Sequence, residues 1–408
     1  MSSRRIVISL LVVVLAAGAV VAVILALTIG VWIGGRHGDL VPAPFRGALV
    51  GNSDEIFVNQ ALDVIDDSYY RKLPPGELAN AAIAGAVKKL GDRFSTYFTP
   101  AEYAKFKQSQ ASSFTGIGVT VDRSKRGLVI RSVYKGSPAQ AVGIEVGDQI
   151  VEANGHSLNG LTTEQSSQLV KGPAGTKVRL KLVHDGKQRT VVATRRAINV
   201  PVVDSTMKNV CGTKIGVVAL SSFTSGAHSE VYAALIKLKK KGAQAYVFDL
   251  RNNGGGLVDE AKLIASAFLA EGPIVTMRGR NVPTHTLEAT GDAVVPKAPL
   301  VVLTNGGSAS ASELVAGALQ DRGRATLVGE KTFGKGVFQQ VIELSNGGAL
   351  DITAGQYFTP NGRNLGGKGV SQGAGLKPDL LVKQPREATE DLALRAALAK
   401  LGGCASVK

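Results

Sequence analysis

Apolar positions along this chain follow three different patterns in succession. From Ile6 to Gly34 no charged residue occurs. That run exceeds the ~20 residues that span a bilayer and the ~7–15 residue apolar core of a cleaved signal peptide. It predicts a membrane anchor over residues 1–36. Val58, Ala61, Leu62, Ile65 and Tyr69 then recur at helical spacing, with Ser53 as N-cap and Asp54 and Glu55 in the first turn. A second helix is expected from Glu77 to Leu90, stopped by Gly91. A third opens at Thr99, with Pro100 in the first position and Glu102 closing a capping box. Residues 37–112 therefore read as a linker and a helical module.

Beyond residue 113 the period changes to two. Lys177 to Val183 alternates, His184-Asp185-Gly186 turns, and Gln188 to Arg195 returns, which predicts a hairpin. Two strands precede it, with a short helix whose Thr162 and Gln165 stand at capping-box spacing. Several short strands and short helices in so few residues make residues 113–196 a compact β-rich module. From about Lys214 strands alternate with helices through "KIGVVAL", "AYVFDL", "PLVVLTN" and "ATLVGE", the pattern of an α/β core over residues 197–386. A last amphipathic helix is expected from Glu387 to Leu401, within a C-terminal segment of 387–408.

Arg4 and Arg5 precede the uncharged run, which by the positive-inside tendency keeps the N-terminus cytoplasmic and exports the rest. A single-pass cell-membrane protein with its main body outside the cytoplasm is the expectation. The net charge of +15 raises the question of nucleic acid. Basic residues are nevertheless spread along the chain, and no zinc-finger, RNP or basic-zipper pattern occurs, so no nucleic-acid partner is expected. The densest run, Lys237 to Lys241, closes a predicted helix, where cations suit the macrodipole. Cys211 and Cys404 are the only cysteines. They make no zinc site, and their pairing is left open. No metal or other cofactor is called for.

The candidate chemistry centres on "NGGSASASELVAGALQ". Ser308, Ser310 and Ser312 alternate before an apolar helical stripe. Only Ser310 has a Glu three residues later, so Ser310 is the best helix N-cap. The same geometry, a strand feeding a Gly306-Gly307 turn and then a helix, also presents a serine hydroxyl as a nucleophile, with the Ala311 N–H free for an oxyanion. A serine nucleophile needs a base. His228 and His285 have no evident orienting partner. Lys331 and Lys335 lie in the glycine-rich "GEKTFGKGVFQQ", where Lys335 stands between Gly334 and Gly336. Ser-x-x-Lys also occurs at Ser132 and Ser205, but no Lys-Thr-Gly follows, so a penicillin-recognising enzyme is disfavoured. "RNNGGG" lacks the ending of a phosphate-binding loop.

Two resemblances bear on these choices. "GIGV" (Gly116, Ile117, Gly118, Val119), "GSPAQAVGIEVGDQIVEANG" and the helix before "KGPAGT" resemble a PDZ domain. A loop of that kind can turn backbone N–H groups into a nest for a terminal carboxylate, while the peptide adds to the neighbouring strand edge. "GSASASELVAGALQDRGRATLVGEKTFGKGVFQ", "DLRNNGGGL" and "YFTPNGRNLGGKGVSQGAGLKPD" resemble the carboxyl-terminal processing (tail-specific) peptidases over roughly residues 55 to 385. The glycine-rich stretch before "GLKPD" is longer than that family's pattern.

The resemblance implies an α/β core of the crotonase/Clp-protease-like type with an inserted PDZ (α+β) domain, an N-terminal helical module and one transmembrane helix. It implies a Ser-Lys endopeptidase in which Ser310 is the nucleophile, Lys335 the general base and Gln339 the residue that orients the lysine. Ala311 and Gly256 would supply the oxyanion hole. The expected partners are protein substrates with free, apolar C-termini, the membrane through the N-terminal helix, and an adaptor or a second copy of the chain. The rival readings are a PDZ scaffold protein with a silent protease-like core and, less well suited to an exported chain, an acyl-CoA enzyme on the same fold.

Overall fold

The computed structural model describes residues 53–111, 113–367, 374–385 and 387–403. The uncharged run from Ile6 to Gly34 and Cys404 lie outside them. Among the described residues no helix is long and apolar enough to cross a membrane. Two compact units divide the chain between Ala86 and Val87.

The first unit holds α1 (Ser53–Ser68) and most of α2 (Glu77–Lys89). Ser53 is already helical, so α1 starts one position earlier than expected. After α2, Gly91 takes φ +65°, the left-handed conformation that ends a helix.

The second unit opens with β1 (Thr96–Phe98) and α3 (Pro100–Gln110). The expected capping box is made: Thr99 N–H donates to Glu102 Oε2 at 2.9 Å, and Glu102 N–H to Thr99 Oγ1 at 3.4 Å. The inserted module follows as β2 (Ser113–Gly116), β3 (Val119–Ser124), β4 (Gly127–Val133), α4 (Pro138–Ala141), β5 (Gln149–Ala153), β6 (His156–Ser157), α5 (Thr163–Val170), β7 (Lys177–His184), β8 (Lys187–Thr194) and β9 (Arg196–Asn199). Its sheet has the order β3-β4-β5-β7-β8, with β6 on β5. Ile130, Ile150, Leu180 and Leu182 are fully buried in a core of its own. The chain enters on β2 and leaves on β9, and these two strands pair antiparallel. That pairing closes the module at Asn199, three residues beyond the expected boundary of 196.

The α/β core comprises β10 (Val203–Val210), β11 (Thr213–Leu220), α6 (Ala227–Lys240), β12 (Ala245–Asp249), α7 (Val258–Ser266), β13 (Pro273–Gly279), β14 (His285–Glu288), β15 (Leu300–Thr304), α8 (Ala311–Asp321), β16 (Thr326–Gly329), β17 (Val337–Glu343), β18 (Ala349–Phe358), β19 (Leu380–Leu381) and α9 (Leu392–Gly402). The main sheet runs β10-β11-β12-β15-β16-β19, parallel from β11 onward. Ile215, Val217, Val247, Val301 and Leu303 pack beneath it with Ala397 and Leu398 of α9. Their strand neighbours Val218, Phe248 and Val302 face the larger core built with α6, α7 and α8. Burial on both faces is why these strands read as unbroken apolar runs. A second, antiparallel sheet joins β1, β18, β13 and β14, with β17 on β18.

Two points need correction. Edge strand β10 was not anticipated, because Asp204, Ser205, Lys208 and Asn209 give it a polar composition that suits an edge. The last helix starts at Leu392 and not at Glu387, because Asp391 caps it by accepting the Leu394 N–H at 3.0 Å.

Candidate active site

Parallel strands deliver their C-terminal ends to one edge of a sheet, which is where α/β folds gather functional loops. In this sheet Asp249 of β12 pairs with Leu303 of β15, and Leu303 with Val328 of β16. The loops 250–256, 305–310 and 330–336 therefore leave the same edge side by side.

The first two are laced together. Asn252 N–H donates to Asn305 Oδ1 at 2.9 Å, and Asn305 Nδ2 returns a bond to Asn252 Oδ1 at 2.9 Å. The buried Asn253 Nδ2 donates to Leu220 O at 2.8 Å, while its Oδ1 accepts the Gly255 N–H at 2.9 Å. Gly255 sits at φ +99°, where a Cβ would come within 2.8 Å of Ser310 Cβ and 2.9 Å of Ala311 N. Only glycine fits there.

This lacing separates the three serines. Ser308 Oγ donates to Leu250 O at 2.8 Å and accepts the Asn305 N–H at 3.0 Å. Ser312 Oγ donates to Asn253 O at 2.8 Å. Both are fully buried and serve the loops. Ser310 differs. It is 8% exposed and takes φ 56°, ψ −119°, a strained conformation for a residue with a side chain. The sequence has the layout of a capping box, and Ser310 N–H donates to Glu313 Oε2 at 2.9 Å. Glu313 N–H bonds the Ser310 carbonyl at 2.8 Å, and the Ser310 hydroxyl, which a cap uses only as acceptor, donates to no group among the described residues. The hydroxyl is thus left free at the first turn of α8.

Glu313 was legible in sequence only as a capping residue. Its fully buried carboxylate also takes the 330–336 loop: Thr332 Oγ1 donates to Oε1 at 2.5 Å, Gly334 N–H to Oε1 at 2.7 Å, and Lys335 N–H to Oε2 at 2.9 Å. The backbone nitrogens of Ser310 and Lys335 therefore share one oxygen atom. Burial pushes the Glu313 carboxyl up from its ordinary value, and the four donors oppose that push. The geometry favours the carboxylate. Thr332 Oγ1 accepts the Leu376 N–H at 2.7 Å, so its own proton is free to go to Glu313, and all four groups point in as donors.

Lys335 Nζ donates to Gln339 Oε1 at 2.7 Å and lies 5.1 Å from the centre of the Phe94 ring. Desolvation moves the ammonium below the ordinary lysine value, against the opposing pull of Asp351, Asp92 and Glu313. Val337 and Phe338, close to the lysine in the chain, are buried. The lysine nitrogen bonds Gln339 and not Ser310 Oγ. The Ala311 and Gly256 N–H groups have no hydrogen-bond partner among the described residues. Two free amides near a free hydroxyl suit an oxyanion intermediate.

The histidines considered as bases lie elsewhere. His228 is in fact oriented: its Nδ1 is 2.8 Å from Glu260 Oε2, at the start of α6. His285 is exposed on β14. Among the described residues no cluster of His, Cys, Asp or Glu is arranged to hold a metal ion.

In the inserted module a groove lies between edge strand β3 and α5, lined by Ile117, Val119, Val121, Leu128 and Val170 with Gly116 and Gly118 at its mouth. The Ile117 and Gly118 carbonyls bond Ala139 N–H at 2.8 Å and Tyr134 N–H at 3.0 Å. A planar trans peptide then points the Gly118 and Val119 N–H groups the other way. Gly118 takes φ +81°, where a Cβ would lie 2.4 Å from Ser137 Cβ.

Comparison with known proteins fits these observations. The model of peptidase family S41 matches residues 214–382, which span all three loops, and a PDZ domain model matches residues 129–183. The carboxy-terminal processing protease CtpA of Bacillus subtilis (strain 168) is 35% identical over 327 residues, 80% of this chain and 69% of the relative. The chain belongs to peptidase family S41, among the carboxy-terminal processing serine proteases. A probable CtpA-like serine protease of Staphylococcus aureus (strain N315) is 33% identical over 331 residues. The match covers 81% of this chain but 65% of that protein's length. A solved structure of a photosystem II D1 C-terminal processing protease aligns with TM-score 0.50 and 28% identity, over 86% of this chain and 98% of the other. The S41 assignment gives the serine-bearing edge and the PDZ groove a common context.

Proposed function

We propose that this chain is an exported, membrane-anchored endopeptidase that cleaves proteins near their C-termini. Ser310 is the nucleophile, Lys335 the general base and Gln339 the residue that orients Lys335. The observation that carries the reading is the division of labour among the serines: Ser308 and Ser312 are spent on loop carbonyls, and Ser310 alone keeps a free hydroxyl. A neutral lysine takes the Ser310 proton as Oγ attacks a backbone carbonyl. The Ala311 and Gly256 N–H groups hold the oxyanion, the C–N bond breaks as the lysine passes its proton to the departing amine, and water, deprotonated by the neutral lysine, then releases the acyl-enzyme. A lysine serves as base near neutral pH only when desolvation lowers its pKa, the direction found for Lys335.

The PDZ module selects substrates by their free carboxyl termini. The tail adds as a strand to β3, with its carboxylate on the outward N–H groups of Gly118 and Val119 and its apolar side chains in the groove. The uncharged run from Ile6 to Gly34 anchors the protein, with the catalytic region outside the cytoplasm.

The test uses the chain from Asp39 onward and an unfolded reporter with an apolar C-terminal tail, free or amidated. Cleavage that is lost in Ser310→Ala and Lys335→Ala, and weakened by amidation, supports the proposal. Tail binding with no cleavage by the wild type would make this a recognition module with a silent core.

A further inference from the structure

Gln339 contacts more than the lysine. Its Nε2 donates to Thr353 Oγ1 on β18 at 3.1 Å. The Asp92 carboxylate, in the turn before β1, lies beside the Thr353 side chain, which helps hold it below the ordinary carboxylate value. In the same turn Ser95 Oγ donates to Asp92 Oδ2 at 2.5 Å and accepts the Thr353 N–H at 3.0 Å. The Phe94 N–H donates to Asp92 Oδ1 at 2.9 Å. Hydrogen bonds therefore link Lys335 to Gln339 and Gln339 to the Thr353 hydroxyl, and the Thr353 backbone is tied through Ser95 to Asp92. Ser95 and Asp92 come from a segment more than 200 residues before the lysine.

The direction of each bond follows from the chemistry of the groups. An ionised carboxylate only accepts, so the Thr353 hydroxyl beside Asp92 turns its proton toward the carboxylate. The Thr353 oxygen must then accept, and the Gln339 group facing it must be the NH₂. That fixes the amide orientation and presents Oε1 to Lys335. Without these contacts, the two ends of the glutamine amide are nearly equivalent, and either can face the lysine. With Oε1 imposed, one N–H of the lysine is committed to Gln339 in both protonation states. When the nitrogen is neutral, its lone pair points away from Gln339.

We propose that Asp92 and Thr353 are positioning residues for the general base, and that they set the Gln339 amide so that Lys335 always meets an acceptor. This rests on the Ser310–Lys335 reading. The charged groups around the lysine are Asp92 from the turn before β1, Asp351 from β18, Glu313 from α8, and Arg93, whose guanidinium lies 5.4 Å from the centre of the same Phe94 ring.

The experiment compares Thr353→Val and Thr353→Ser in the chain from Asp39 onward. It follows cleavage of the unfolded reporter with a free apolar tail from pH 6 to 10. In Thr353→Val the amide is free to turn its NH₂ toward the lysine, which disfavours the ammonium. The pH of half-maximal rate should move down, and the plateau rate should fall about tenfold, part of the ~10²–10⁴-fold that a positioned base supplies. Thr353→Ser, which keeps the hydroxyl, should recover the wild-type midpoint. A merely structural role for Thr353 would lower the rate at every pH and leave the midpoint in place, and that result overturns the proposal.

If Thr353→Val does not fold, as judged by loss of a cooperative melt, Thr353→Ala, which also removes the hydroxyl that holds Gln339 Nε2, gives the same readout. An unmoved midpoint again overturns the proposal. Ser310→Ala and Lys335→Ala run beside them. Activity surviving in those two variants would sink the dyad itself, a result distinct from failure of the positioning chain.

Discussion

Replacing Glu313 by Gln tests how the loops that carry Ser310 and Lys335 are held. The substitution keeps size and shape and removes the charge. The native carboxylate accepts four hydrogen bonds, from Ser310 N–H, Lys335 N–H, Gly334 N–H and Thr332 Oγ1. An amide offers one oxygen and one NH₂, so one end meets donors with a donor. In the least costly arrangement the NH₂ faces Thr332, whose hydroxyl can rotate to accept, and the Gly334 N–H is orphaned. An orphaned buried donor costs about 1–3 kcal/mol, and bonds to a charge are worth roughly 1.5–3 kcal/mol each. One orphaned donor and one lost bond to the charge together cost about 2.5–6 kcal/mol, set against a domain stability of ~5–15 kcal/mol. The fold survives, but the 330–336 loop relaxes and takes Lys335 with it. Melting should drop by roughly 5–12 °C in calorimetry. Reporter cleavage should fall at least ~100-fold, the usual consequence of a catalytic group displaced by about 1 Å. Unchanged melting together with unchanged cleavage would refute the reasoning. It would mean that Glu313 is protonated in the native protein, with burial prevailing over its donors, because a neutral acid is what an amide imitates.

Other outcomes follow from neighbouring contacts. Cleavage should rise with pH through a single midpoint below the ordinary lysine value of 10.5, and a rate that stays flat from pH 6 to 9 would exclude Lys335 as base. Gly255→Ala should cost ~100-fold or more in cleavage with little change in circular dichroism, since its methyl group would meet Ser310 Cβ at 2.8 Å. Arg251 donates to both oxygens of Asp391, at 2.7 and 2.8 Å, and so ties the 250–256 loop to the cap of α9. The hydrogen bond from Arg251 is the main cause holding Asp391 below the ordinary 3.8. A depressed carboxyl stabilises the fold above its unfolded pKa and loses that contribution as pH falls through the folded value. The melting difference between wild type and Arg251→Ala should therefore be present at pH 6 and shrink toward pH 3. A difference independent of pH would argue against the ion pair.

Local signals made much of this fold legible. Thr99-Pro100-Ala101-Glu102 and Thr162/Gln165 each contain a complete capping box, and both helices start where those residues require. Strands β11, β12 and β15 are apolar on both faces, so their sequences announce a buried parallel sheet. Strand β10 was hidden because an edge strand tolerates Asp204, Lys208 and Asn209. At the site, the residues alone left Ser310 open between helix cap and nucleophile, the resemblance to the tail-specific peptidases singled out Ser310 and Lys335, and the structure explains why Ser308 and Ser312 are otherwise occupied. Three things were not readable. The second task of Glu313 depends on a loop about 20 residues downstream that folds back on it. Gly255 and Gly256 are indistinguishable until their contacts are known, since one packs on Ser310 and the other on Phe223. Asp92 and Thr353 meet only through tertiary pairing of β1 with β18. No local rule couples residues so far apart.

The central claim is that Ser310, activated by Lys335, is the nucleophile. The most direct measurement is covalent labelling with a serine-reactive phosphonofluoridate, followed by intact and peptide mass spectrometry. The prediction is one adduct per chain, carried by the peptide that holds "GSASASE" and assigned to Ser310. Labelling should slow at least ~100-fold in Lys335→Ala, the usual contribution of a general base. A label on Ser308 or Ser312, or labelling as fast without Lys335 as with it, would contradict the account.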